Sequence, residues 1–394
     1  MDFSYNDEQT ALAEAVHGLL SRAYGDFEQR RRRVADDPGF DEALWGQLAE
    51  MGVLGLPFDE ADGGMGAGLA EVGIVAGELG RVLAPEPFLA SVVLAGGAVA
   101  ACGSDEQRAE LLGALSAGEL VPAWAHDEPG ARWSDRAVEV TARQHDEGWL
   151  LSGVKEPVLH GARADLLVVS AALPEGSGTG LFLVDPAQVD EAQLERAGYR
   201  TYDGGRAARV RFVDTPAVPL GEPGVDRTAE IAAVLDRARV VACHEALGGM
   251  EVALATTTAY LKSRKQFGVP LNTFQALNFR AADMYVSLEL TRSIVLWATM
   301  VLADAESPYA REAAARAALQ TSRAARHVGQ EAIQLHGGIG MTAEYLVGNI
   351  TAHLTALDHL LGDGDHHLAR LGAGVDRYEG LDPLDPTMRS ASSA

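Results

Sequence analysis

The chain has 394 residues, 47% of them hydrophobic, and a formal net charge of −24 at pH 7. That length exceeds one ordinary core, so two or three domains are expected. The acidity argues against nucleic acid or an anionic membrane surface as partner, since both require a basic face.

No apolar run reads as a membrane span, because the longest, such as Val92 to Ala101, are short and rich in Ala and Gly. Met1-Asp2-Phe3-Ser4-Tyr5 lacks the basic and apolar regions of a secretory signal. Cys102 and Cys243 stand far apart, so buried free thiols in a cytoplasmic protein are expected.

From Asp7 to about Glu119 the pattern is helical. Leu12, Ala15, Val16, Leu19 and Leu20 recur at helical spacing, as do Leu44, Leu48 and Met51. Arg30 to Arg33, followed at once by Asp36-Asp37, reads as a solvated helix end. A glycine-dense loop, Asp59 to Gly66, precedes a helical stretch from Gly68 to Val82 that stops near Pro85-Glu86-Pro87. Between 121 and 222 the texture changes to short alternating runs: Ala137 to Thr141, Trp149 to Leu151, Asp165 to Ala171, Leu181 to Val184 and Arg209 to Val213. Gly, Asp and Pro clusters separate them, which predicts an antiparallel barrel or sandwich of roughly seven strands. Helical periodicity returns from Arg227 to Gly372 with few breakers, enough for a bundle of long helices. The reading is an α+β chain: a helical domain over 1–120, a β-domain over 121–225, a helical bundle over 226–375 and a loose, Asp-, Pro- and Ser-rich tail over 376–394.

Two segments of the bundle carry chemistry. The first is Tyr260-Leu261-Lys262-Ser263-Arg264-Lys265-Gln266-Phe267-Gly268, followed by Pro270-Leu271 and Phe274-Gln275. A guanidinium fork suits phosphate and an aromatic face suits a flat ring, but a surface Arg beside a core Phe explains the run equally well. The second runs from Gln334 to Tyr345 through Gly337, Gly338 and Gly340. It serves either as a helix cap or as backbone that a bulky anionic ligand can approach. Together, in this order, the two segments resemble the acyl-CoA dehydrogenase family, and the resemblance spans residues 1–370. It implies a helical, then β, then four-helix-bundle architecture, FAD as cofactor, an acyl-CoA substrate and an electron-transferring flavoprotein as redox partner. It also assigns Arg264, Gln266, Phe267, Phe274, Gln275, Gln334, Gly337 and Gly338 to the FAD of a neighbouring subunit.

The β-domain departs from that pattern. Relatives hold the flavin ring with aromatic-x-x-Thr-Glu-Pro-Gly-Ala-Gly-Ser. Here the run is Trp124-Ala125-His126-Asp127-Glu128-Pro129-Gly130-Ala131-Arg132-Trp133. Glu128 to Ala131 match and Trp124 can replace the aromatic, but Asp127 stands for the threonine and Arg132-Trp133 for the small pair. In Gly153 to Gly161, Pro157 and Leu159 replace the family's tryptophan and threonine. A carboxylate at 127 disfavours a reduced flavin, and Leu159 offers it no hydrogen bond.

Desaturation of a thioester in this family removes a proton from Cα while hydride leaves Cβ for the flavin, so a carboxylate base in an apolar pocket is required. The usual position falls on Leu361 and the family's second solution on Ala238. Neither side chain can take a proton. Glu245 and Asp363 are the candidate substitutes, with Asp358, His359 and Asp365 nearby, although Glu245 reads more simply as a structural carboxylate paired with Arg239 or His244. A metal held by His359, His366, His367 and the aspartates is weaker than a solvated helix end, because no tight ligand spacing repeats.

Some bacterial relatives acting on CoA thioesters of steroid side chains are α2β2 tetramers in which one subunit keeps the base and the other reaches across to its partner's FAD. This chain resembles the second kind, also in Pro85-Glu86-Pro87-Phe88-Leu89 and in Gly362 to Leu368. Two alternatives are a homotetramer with Glu245 or Asp363 as an unusual base, and a flavin-free assembly or acyl-CoA-binding protein.

Overall fold

The computed structural model describes residues 5–146, 148–304 and 307–375. The expectations for Met1 to Ser4 and for the tail over 376–394 lie outside the described residues. Helix α1 (Asp7–Tyr24) starts at Asn6, whose side chain accepts from the Gln9 N–H while the Gln9 side chain reaches back, a reciprocal cap of two orphan donors. It buries Val16, Leu19, Leu20 and Tyr24 along one face. Helices α2 (Phe27–Arg33), α3 (Glu42–Glu50) and α4 (Leu69–Val82) follow. The four arginines ending α2 are not uniformly solvated as expected: Arg30 is 6% exposed and its Nε donates to the Leu83 carbonyl at 2.5 Å. Past Pro85-Glu86-Pro87 the chain does not leave the helical domain. It forms a wide-turned π-helical segment, Phe88–Gly96, with every residue buried, which continues into α5 (Gly97–Cys102) and then α6 (Asp105–Ser116).

The β-domain comprises β1 (Pro122–Ala125), β2 (Thr141–His145), β3 (Gly148–Leu159), β4 (Leu166–Ala172), β5 (Thr179–Val184), β6 (Leu194–Arg200) and β7 (Arg206–Pro219). The order β1-β4-β2-β3-β7-β5 closes on itself through β4–β5, with β6 added on the edge of β7, around a core that includes Leu151, Val169, Phe182, Val210 and Phe212. Five of the seven pairings in this sheet are antiparallel, as expected, and two are not. β1 pairs β4 in parallel over four residues, and β2 touches β4 in parallel at Thr141 and Ala172. Alternating polarity does not reveal strand direction, and the residues between β1 and β4, including the β2–β3 hairpin, are long enough for the crossover that parallel pairing needs.

The bundle consists of α7 (Thr228–Ser263), α8 (Gln275–Ala303), α9 (Ala310–His336) and α10 (Leu346–Leu360), with α11 (Gly364–Gly372) packed on α9 and two short strands, β8 (Lys265–Gln266) and β9 (Val269–Pro270), between α7 and α8. Helix α7 also joins the bundle to the N-terminal domain. A Cβ on Gly248 would run into the Gly77 carbonyl of α4, and one on Gly80 into the Glu245 carbonyl, so glycines set this close backbone approach. Helix α8 is, by length and composition alone, apolar enough to cross a bilayer, which inspection of uninterrupted runs does not detect. It buries Met284, Leu288, Val295 and Leu302 in the bundle and leaves Phe279, Tyr285, Val286, Leu290 and Met300 exposed. Cys102 and Cys243 are free and buried, as expected.

Candidate functional site

The two bundle motifs converge at one end of the bundle. The Tyr260 ring of α7 lies 4.5 Å from the His336 ring that ends α9, and His336 lies 5.1 Å from Tyr345 at the start of α10. Around this stack the motif residues face outward. Arg264 is exposed, with no hydrogen bond or ion pair from its guanidinium among the described residues. Phe267 is 92% exposed, its ring 6.2 Å from Phe274, at the β8–β9 turn. Gln266, Gln275 and Gln334 are exposed too. Gly337 has φ 66°, and a Cβ at Gly337 or Gly338 would meet nothing within 4 Å, so backbone is open there. Free guanidinium, flat ring, amides and bare backbone fit the adenosine and phosphate end of the implied dinucleotide.

The opposite end of α10 lies about 20 Å away at the helical rise. There the residues do not fit a flavin ring. The Trp133 indole leaves the loop after β1, donates from Nε1 to the His359 carbonyl at 3.0 Å and lies 5.3 Å from the His366 ring. The gap between loop and bundle is thus spanned by the chain's own side chain. Asp127 is half-buried, and burial lifts its carboxyl to about 6 against the pull of Lys155. Trp124 is turned into the core, 5% exposed and stacked on His126 at 5.3 Å.

The matching Glu128 has a structural task. It is 1% exposed and accepts N–H groups from Val138, Glu139 and Val140 at 2.8, 2.8 and 3.0 Å, along with Lys155 Nζ at 2.8 Å. Lys155 also donates to the His126 carbonyl at 2.8 Å and to Ser170 Oγ at 3.0 Å. His126 Nε2 faces the Ser134 carbonyl at 2.7 Å, which only accepts, so the proton sits on Nε2 and Nδ1 accepts from the Ser170 hydroxyl at 2.8 Å. Burial and Lys155 pull this imidazole down to about 4, which keeps it neutral.

Between the N-terminal helices, the β-domain and α10 lies a cavity of about 560 Å³. No free carboxylate stands at either expected base position. Leu361 is 7% exposed, with its carbonyl accepting from Arg239 Nε at 2.9 Å, and Ala238 is fully buried. Asp363 caps α11 by accepting the His366 N–H at 2.8 Å. Glu245 lines the cavity but is held by His353 Nε2 at 2.9 Å, while His353 Nδ1 meets Asp203 at 3.0 Å. Burial alone would depress this imidazole, yet the two carboxylates raise it to about 9, and His353 in turn holds Asp203 down near 2 despite burial. The expected partners of Glu245 are engaged elsewhere: Arg239 with Asp236 at 2.6 Å, His244 with Thr299 at 2.8 Å. Among the described residues no group of side chains could hold a metal ion. Sequence reasoning missed His353 and Asp203, which are isolated in their segments. It also missed Arg30 and Glu86 on the cavity wall, although a glutamate between two prolines in an apolar stretch is a visible signal.

Two family models match the chain: Acyl-CoA dehydrogenase, N-terminal domain, over residues 6–119, and Acyl-CoA dehydrogenase, C-terminal domain, over residues 229–375. The chain is 31% identical to acyl-CoA dehydrogenase IpdE2 of Mycobacterium tuberculosis, covering 86% of this chain and 88% of that protein. Among solved structures, a chain of a Tcur3481-Tcur3483 steroid ACAD variant superposes with a TM-score of 0.84 at 33% identity, covering 94% of this chain and 98% of that one. A chain of the ChsE4-ChsE5 complex from Mycobacterium tuberculosis does so with a TM-score of 0.85 at 26% identity, covering 96% and 100%.

Proposed function

The chain belongs to the acyl-CoA dehydrogenase family of FAD-dependent oxidoreductases, and we propose that it is the non-catalytic, FAD-supporting subunit of a heteromeric α2β2 enzyme. The observation that carries this reading is the Trp133 bridge to His359, which fills the ring side while the adenosine side stays open. In this reading Arg264 and Phe267 reach the phosphates and adenosine of a FAD whose ring lies in a second acyl-CoA dehydrogenase-like chain. That second chain supplies the base for α,β-desaturation of the acyl-CoA, and electrons leave to an electron-transferring flavoprotein. The exposed apolar face of α8 gives the partner chain a surface to cover. The buried free thiols suit a reducing, cytoplasmic compartment.

Co-expression with a candidate partner, followed by flavin stoichiometry, is the direct test. One FAD per pair of chains is expected, with little flavin in the chain made alone. A stoichiometric, catalytically competent FAD in the isolated chain would overturn the reading. Arg264→Ala should weaken FAD retention in the complex by roughly tenfold or more, as expected for one charge-assisted hydrogen bond. Unchanged retention would favour a flavin-free assembly role instead.

A further inference from the structure

Helix α7 faces two cavities. Glu245 lines the large one, and the neighbouring His244 lines a second, of about 210 Å³, between α1, α4, α7 and α8. A single water needs about 10–15 Å³ and an apolar cavity of about 150 Å³ encloses a benzene ring, so the second space has room for a substituted ring. His244 is 6% exposed. Its Nε2 meets the Thr299 hydroxyl at 2.8 Å, and that hydroxyl donates to the Val295 carbonyl at 2.9 Å. The Thr299 oxygen therefore accepts, and the imidazole proton sits on Nε2. Nδ1 is left as a bare acceptor without a partner among the described residues. Unlike the sealed Nδ1 of His160, it keeps accessible surface. Burial pulls the imidazole down to about 4, so it stays neutral near pH 7. The ring fits because α4 carries Gly73 beside it, where a Cβ would stand 2.7 Å from the imidazole. A buried acceptor without a donor is costly, so this pocket is complete only with a donor in it.

The rest of the lining narrows the kind of donor. Ala13, Ile74, Leu247 and Leu296 give the pocket apolar walls. Its charged groups are already paired with one another. Glu78 accepts from Arg81 Nε at 3.0 Å, the same guanidinium reaches Glu251 through Nη2, and Glu251 takes Arg292 Nη1 at 2.7 Å. Outside the lining, His17 adds a contact to Glu78 and Glu289 one to Arg292. Two carboxylates facing two guanidiniums leave the lining without net charge, so an ionic ligand would bring in a charge that nothing compensates. A neutral hydroxyl or N–H satisfies Nδ1 without changing that sum, and an apolar body suits the walls.

We propose that this second cavity is a small-molecule site, separate from the large one, taking an uncharged ligand of about the size of a substituted benzene ring whose hydroxyl or N–H donates to His244 Nδ1. An occupant would lie against Gly77 and Gly248, at the close contact of α4 with α7 and within one turn of Glu245. The proposal stands whichever subunit carries the flavin ring. The test is a saturation-transfer NMR titration of the full-length chain with four probes: phenol, anisole (the same ring with its hydroxyl capped), benzylamine as a cation and benzoate as an anion. Phenol should bind saturably and about threefold or more tighter than anisole, as one neutral hydrogen bond allows. Both charged probes should bind more weakly than phenol. His244→Phe, which keeps a ring and removes the acceptor, should bring phenol and anisole to equal affinity. Ala13→Phe, which fills the pocket from α1, should remove saturable phenol binding while the chain still unfolds in one cooperative transition. The comparison of probes on the unaltered chain decides the matter even if a variant fails to fold. Anisole or a charged probe binding as tightly as phenol, phenol binding untouched by Ala13→Phe, or no saturable phenol binding would each overturn the proposal.

Discussion

His353 shows how a single side chain redefines its neighbours. Clamped between Asp203 and Glu245, it turns a candidate base into half of an ion pair, and Glu245 loses the apolar isolation a proton acceptor in this chemistry needs. The same clamp predicts a pH dependence. The folded value near 9 lies above the ordinary 6.5, so the stabilisation is fully present below pH 6.5 and fades as pH rises through 9. At ~1.4 kcal/mol per tenfold change its ceiling is about 3 kcal/mol. Urea-unfolding free energies should therefore fall between pH 6.5 and 9, and His353→Gln should flatten that slope; identical slopes would show that the clamp contributes nothing. At this scale the sequence was only partly legible. Leu361 and Ala238 show by their chemistry alone that neither expected position carries a proton acceptor, and Pro157 and Leu159 that two groups of the resembling motif are replaced. The Asp203–His353–Glu245 cluster draws on β-domain, α10 and α7, and no local pattern links residues so far apart in the chain.

Among the elements, α4 and α7 make a close backbone contact. Glycines at 80 and 248 bring two backbones together with no room for a methyl group, in the same turns of α7 that carry Glu245. Gly248→Ala should cost about 1–3 kcal/mol, since the obstructing atom is a backbone carbonyl that cannot rotate away. Thermal unfolding of the variant beside Gly46→Ala, whose Cβ would meet nothing within 4 Å, measures it; equal shifts in both would refute the steric argument. Helices α1 and α4 were readable because their apolar residues recur at helical spacing. The strands β1 and β6 were not. β1 is four buried residues without alternation, and β6 is a largely exposed edge whose pairing with β7 comes from backbone rather than apolar side chains. The segment Phe88–Gly96 was hidden because Pro85 and Pro87 mark a stop to local rules while its apolar side chains continue into the core.

For the molecule as a whole, the helix–strand–helix order was legible because three textures follow one another with clear breaks. The exposed apolar face of α8 was not, because its outward residues alternate with buried ones along a helix that reads as apolar throughout. Leu290 is 59% exposed and faces outward beside Val286. Leu290→Glu should leave the unfolding transition of the lone chain within about 0.5 kcal/mol, as for other exposed sites. It should, however, abolish co-purification with the partner subunit and, with it, retention of FAD. A complex that survives this substitution unchanged would place the interface elsewhere.

Trp133 now braces α10 by its bond to the His359 carbonyl. Shrinking it would remove a strut before any ring contact was gained, and Asp127, Pro157 and Leu159 would still stand in the way. In the proposed role each first step toward self-sufficiency would be a loss, so neutral drift would run like a ratchet in one direction. If the chain supports a partner's FAD as proposed, a lineage carrying it is committed to keeping two genes expressed together, and losing either one strands the other.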